Sequence, residues 1–195
     1  MTDAGGMIIQ KPSDNPNFGG PTCLNPSYFA PAAYRVFASV MPADDLYWNK
    51  AAHDAYVLLD RYQTKYNGLV PEWTSVDGDA PSCAEHNDTS FGLDAVRVPW
   101  RVALDYQWFG TAEAKKFLDK FNVNRLGGSG DAAITHDGAA FWGAYAVASM
   151  GGEDLALLDE YATTLLIKDD RRYYDDSLKA LYLFTLSRML LPAYR

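Results

Sequence analysis

Four charged residues stand out by type and spacing. Asp94, Arg97, Arg101 and Asp105 follow one another at steps of three, four and four within the run from Phe91 to Gly110. On a helix those steps make neighbours on one face. Nearly every other side chain in the run is apolar, including Val96, Val98, Pro99, Trp100, Val102, Ala103, Leu104 and Trp108. A solvated helix carries a broad polar face, whereas this run carries a single charged stripe. The pattern predicts a helix buried on most sides, its carboxylates and guanidiniums facing a wet cavity or a fixed polar network. A ladder of ion pairs on a half-exposed helix has the same spacing, so both readings stand at this level.

Other chemistries find less support. His53, His86 and His136 are scattered and pair with no cysteine at metal-ligand spacing, so neither a metal nor a cofactor is expected. Gly127-Gly128-Ser129-Gly130 precedes no Lys-Ser or Lys-Thr and follows no strand-like run, so it reads as a turn rather than a phosphate cradle. Two cysteines, Cys23 and Cys83, lie in loop-like sequence. A disulfide between them would pin two loops together and suit an exported protein; two unrelated thiols are the alternative.

The elements that must position the stripe read as a series of helices. Residues 1–24 are an irregular lead-in, with Met7-Ile8-Ile9 as a short strand. Asn25-Pro26-Ser27 supplies turn and cap chemistry for a helix from about Tyr28 to Val40. A second helix from about Leu46 to Tyr66 follows a short Pro turn, with His53 and Asp54 on or near its solvated side. Residues 67–90 form a long, aperiodic connection, which in a compact domain is usually functional. That connection could be a wall of a binding cleft with Trp73 as a flat stacking platform, or Trp73 could be packed under its own loop. After the charged run come helices from Ala112 to Phe121, Asp137 to Met150, Glu153 to Ile167 and Tyr173 to Leu191. The small residues of Asp137 to Met150 suit close packing, which marks it as an inner helix. About seven helices linked as hairpins, with no Val/Ile-rich alternating strands, predict a single all-α domain over 1–195.

Three stretches, in order, carry a family resemblance. Asp94-Ala95-Val96-Arg97-Val98-Pro99-Trp100-Arg101, continued by Ala103-Leu104-Asp105-Tyr106, resembles the motif that opens an inner helix in glycoside hydrolase family 8. Asn25-Pro26-Ser27-Tyr28-Phe29-Ala30-Pro31 and Tyr173-Tyr174-Asp175-Asp176-Ser177-Leu178 resemble that family's NPSYF-P segment and late YY-DSL helix. The family contains bacterial endoglucanases beside xylanases and chitosanases. The resemblance implies helical hairpins forming about half of an (α/α)6 barrel, the C-terminal half of a family member. It implies inverting hydrolysis of β-1,4-linked polysaccharide or oligosaccharide, cellulose-like above all.

In such chemistry an acid protonates the leaving oxygen and a base activates water on the opposite face, the two carboxyls about 6.5–9.5 Å apart. By resemblance Asp94 is the base, and Arg97 keeps it ionised and orients it or the sugar. Arg101 and Asp105 are supporting residues, and Tyr174 positions substrate or water. Leu93 departs from the aromatic often found before that Asp. The family's general-acid Glu and its Ala-Ser-Asp-Ala-Asp segment belong to the other half. Glu72, Glu85, Glu113, Glu153 and Glu160 lack the acid's context, which implies that this chain alone is inactive. Two other classes stay open: a non-catalytic helical carbohydrate- or partner-binding module, and another α/α-toroid enzyme such as a polysaccharide lyase.

Composition agrees with a globular chain. Of 195 residues, 48% are hydrophobic and 22% charged, which excludes a disordered chain. The net charge of −8 argues against nucleic acid and anionic membrane as partners. The 13 Tyr and 5 Trp include candidates for stacking on sugar faces. No stretch reaches the apolar length of a membrane span. The opening MTDAGGMIIQK lacks the basic and apolar regions of a signal peptide, so secretion or periplasmic export of a longer parent would need a signal elsewhere. A half-barrel would also leave apolar flanks on its first and last inner helices, to be covered by the missing half or a second copy.

Overall fold

The computed structural model describes residues 2–13, 20–83, 89–127 and 138–192, and the side chains of these except 2–4 and 122–127. A two-stranded antiparallel hairpin comes first, β1 (Thr2–Ala4) with β2 (Met7–Ile9). Gly5 and Gly6 form its turn at φ 64° and 83°, a pair of positive φ values that glycine adopts without strain. Seven helices follow among the described residues: α1 Pro31–Val40, α2 Asp45–Lys65, α3 Arg97–Phe109, α4 Ala112–Gly127, α5 Ala139–Ser149, α6 Leu155–Ile167 and α7 Tyr173–Leu186.

They alternate between two layers. α1, α3, α5 and α7 contact one another in sequence, while α2, α4 and α6 cover them from outside. The inner helices therefore run in one direction and bring their N-termini to one end. α5 is the most buried, with every residue but Trp142 inside. Its Gly143 is required by α7: a Cβ there would lie 1.9 Å from the Tyr182 ring. That close approach lets the Tyr182 hydroxyl donate to Val96 O at 3.0 Å, tying α7 to the start of α3. Trp100 Nε1 donates to Thr185 Oγ1 at 2.9 Å and Trp108 Nε1 to Leu190 O at 2.8 Å, so α3 and α7 also touch directly.

Several local expectations need correction. The helix expected from Phe91 begins at Arg97; residues 93–96 form a turn ahead of it. Asn25-Pro26-Ser27-Tyr28 is a 3-10 turn capped by Asn25, and α1 starts only at Pro31. Asp54 is not on the solvated side: it is buried and accepts from the Ile8 N–H at 2.7 Å and from Lys50 Nζ at 2.7 Å, which docks the hairpin on α2. α4 runs six residues past Phe121, and α7 stops five residues before Leu191. Gly128 to Gly130, Glu85, His86, His136 and Asp137 lie outside the described residues.

Candidate active site

The inner-helix N-termini gather the polar residues. Asp94 lies in the turn just before α3, at the positive end of the helix dipole, which favours a negative charge. Its side chain is 35% exposed. Oδ2 accepts from Asn25 Nδ2 at 2.8 Å and from Trp73 Nε1 at 3.2 Å, and Oδ1 pairs with Arg97 Nη2. Arg97 Nη2 also donates to Ser27 Oγ at 2.8 Å, and the guanidinium sits 5.7 Å from the Tyr28 ring centroid. Asn25 Oδ1 in turn accepts from Ser27 N and Oγ at 3.0 and 2.6 Å. The aspartate is thus fixed by three separate segments, yet open to solvent on one side.

Two loops deliver those donors together. Leu24 and Thr74 exchange backbone hydrogen bonds of 2.7 and 2.9 Å, which places Asn25 beside Trp73. Cys23 and Cys83 are joined in a disulfide with Cα atoms 5.7 Å apart, one residue from that bridge. Trp73 itself is buried, so it meets the site through its indole N–H edge and offers no open ring face for a sugar. Tyr174, in the first turn of α7, donates its hydroxyl to Leu93 O. Partial burial raises the pKa of that phenol; Asp94 and Glu72 nearby add to the rise and Arg97 opposes it. Tyr174 therefore stays protonated at neutral pH and can serve as a donor, not a base.

The charged stripe does not act as one unit. Asp105 is fully buried and belongs to a different network, with Arg35 Nε at 2.9 Å, Tyr56 hydroxyl at 2.7 Å and Thr111 hydroxyl at 2.7 Å. It joins α1, α2 and the start of α4 to α3 and does not contact Asp94. Arg101 makes no ion pair with Asp105. Its buried Nε has no hydrogen-bond partner, and burial, with Arg97 nearby, lowers its pKa. Sequence spacing missed Asn25, Ser27 and Glu72 as site residues; the turn signal at Asn25-Pro26-Ser27 and the family resemblance of that stretch hinted at the first two. A cleft of about 1300 Å³ lies at the opposite end of α3 and α7, lined by Gln107, Trp108, Leu155, Leu158 and Leu191 among others. None of the site residues above lines it.

Antiparallel helical hairpins in two layers, with a carboxylate site at the N-terminal ends of the inner helices, define a segment of an α/α toroid. The family model described as glycosyl hydrolases family 8 matches residues 2–186. The chain belongs to glycoside hydrolase family 8. It is 35% identical to Endoglucanase A of Acetivibrio thermocellus, covering 93% of this chain and 40% of that protein. It is 34% identical to Endoglucanase C of Ruminiclostridium cellulolyticum, covering 89% and 38%. The solved structure of Rex8A from Paenibacillus barcinonensis complexed with xylose superposes with a TM-score of 0.71 at 21% identity, covering 87% of this chain and 50% of that one. The chain thus spans about two fifths of the length of the endoglucanases it matches, and its fold is about half of an (α/α)6 barrel.

Proposed function

We propose that this chain is the base-bearing half of an inverting hydrolase of β-1,4-glycans, cellulose-like above all, and that Asp94 is its general base. The observation that carries this reading is the seating of Asp94: held by Asn25, Trp73 and Arg97, but open to water. A carboxylate so fixed can take a proton from a water aimed at the anomeric carbon. Arg97 holds the carboxylate from the Oδ1 side, and Tyr174, its O–H donated to Leu93 O, offers its phenol oxygen as an acceptor for substrate or water. Arg101, one turn deeper in α3, adds a second positive charge behind Arg97. Asp105 supports the site at a distance by fixing α3 against α1, α2 and α4. Membership of a hydrolase family leaves the lyase alternative without support.

On this reading the chain alone does not release sugar, because the acid comes from a segment it lacks. Exposed apolar side chains on both flanking inner helices fit that view: Phe37 and Val40 on α1, Tyr173 and Phe184 on α7. The missing half, or a second copy, would cover them. Export of the parent protein is the setting we propose, in keeping with the disulfide. The test is a reducing-sugar screen on soluble cellulose, xylan and chitosan, with this chain alone and with the N-terminal half of a family relative. We expect activity only from the combination, first on cellulose. Hydrolysis by a monomer of this chain would defeat the incomplete-site reading. A non-catalytic binding module is distinguished by glycan binding with no turnover in either arm.

A further inference from the structure

Glu72 has no part in the chemistry above, yet it touches Asp94 more closely than a bystander would. Its Oε1 accepts the backbone N–H of Asp94 at 2.8 Å. The carboxylate can come this near because residue 92 is glycine: a Cβ there would lie 2.3 Å from Oε1 and 2.5 Å from Cδ. The N–H of Glu72 donates to Ser90 O at 2.9 Å, which fixes the chain just ahead of the same turn. The next residue, Trp73, donates to Asp94 Oδ2. Two consecutive residues therefore hold the backbone and the side chain of one aspartate.

We propose that Glu72 is the positioning residue for Asp94, seating the turn at 92–96 so that the carboxylate meets Asn25, Trp73 and Arg97 together. The functional meaning rests on Asp94 being the base; the contact itself does not. A second carboxylate beside a base invites the role of acid. An acid, however, must reach the leaving oxygen across the substrate, on the face opposite the base. Glu72 instead bonds the base's own amide, on the backbone side of the turn. Gly92 is the other half of the device, since any side chain there would expel the carboxylate.

Amide and indole NMR of the intact chain tests this without hydrolysis. A carboxylate acceptor shifts the Asp94 amide proton downfield and slows its exchange. In Glu72→Ala we expect the Asp94 amide to move upfield and exchange roughly tenfold faster or more, with the Trp73 indole proton shifting too. Glu72→Gln keeps an acceptor oxygen and is expected to restore most of both signals. Gly92→Ala should reproduce the Glu72→Ala spectrum with Glu72 still present. It also reads the contact if Glu72→Ala fails to fold. Unmoved Asp94 and Trp73 signals in a folded Glu72→Ala or Gly92→Ala chain would overturn the proposal, as would Gln behaving like Ala. In the completed enzyme, Glu72→Ala should lower kcat while leaving KM nearly unchanged. Full activity of Asp94→Asn there would remove Asp94 as base while leaving the Glu72 contact standing.

Discussion

Asp94 and Asp105 are the same residue type, eleven positions apart in one motif, and the structure gives them opposite work. Asp105 is fully buried and has three partners on three other elements, Arg35, Tyr56 and Thr111. Asp94 also has partners on separate segments, but its side chain is 35% exposed. A buried carboxylate whose oxygens are taken by fixed donors on separate segments ties those segments together, so it serves the fold. A carboxylate held on one side and wet on the other can accept a proton from water, so it can serve a reaction.

The comparison is sharpest where the two are removed. Asp105→Ala leaves Arg35 without its partner and empties a buried network, a loss of about 3–5 kcal/mol. Asp94→Asn keeps the shape of a partly exposed group and should change stability by less than about 1 kcal/mol. Urea titration of both variants checks this. Equal losses would mean that Asp94 is structural too.

Activity should show the reverse asymmetry. In an enzyme completed by its other half, Asp94→Asn is expected to cost about 10²–10⁴ in kcat with substrate binding largely kept. A variant with most of the original kcat would rule out Asp94 as the base.

The sequence pattern made this split hard to see. Spacing of three, four and four predicts one face only if a single helix contains all four residues. The turn at 93–96 puts Asp94 outside α3, and each i,i+4 step then carries a side chain about 40° further round the helix. From Arg97 to Asp105 the stripe has therefore turned away from the site and into the core. The helix series and the inner place of α5 were legible, because small residues and 3.6-residue periodicity are local signals. The placing of Asp94 beside Arg97 was legible from the motif. Asn25, Trp73 and Glu72 reach Asp94 from 69, 21 and 22 positions away, and no local pattern records such meetings. Asp54 was misplaced for the same reason: its partner is the Ile8 N–H on a hairpin 46 residues earlier.

The disulfide separates the two carboxylates again. It closes a 60-residue span and sits beside the bridge that carries Asn25 and Trp73 to Asp94. Replacing both cysteines by serine should cost about 2–4 kcal/mol. The loosening should be local. Hydrogen exchange should speed up at Leu24, Thr74 and the Trp73 indole, and stay slow around Asp105. Equal loosening at both places would mean that the bridge holds the whole domain and not the Asp94 cradle.

A smaller loss than that of the disulfide is expected at Tyr56, and it probes the Asp105 side alone. Its hydroxyl donates to Asp105 Oδ2 at 2.7 Å. Burial pushes the pKa of this phenol well above its ordinary value, and the neighbouring Asp105 charge pushes it further. Burial also raises Tyr34, to about 12. Folding therefore holds both phenols neutral. Their contribution is fully present below the unfolded value of about 10 and is lost as pH rises from there toward the folded value. Each such tyrosine steepens the alkaline loss by up to about 1.4 kcal/mol per pH unit. Tyr56→Phe removes one donor from Asp105 and one of these groups. At pH 7 it should cost about 1–2 kcal/mol, the worth of a buried bond to a charged acceptor. Above pH 10 the variant should lose stability less steeply than the wild type, so the two curves converge. Asp94, which has no such buried phenol bonded to it, should keep its Asn25 and Trp73 contacts throughout. Parallel curves above pH 10 would show that Tyr56 ionises in the folded chain as readily as in the unfolded one, and that the Asp105 network is open to water after all.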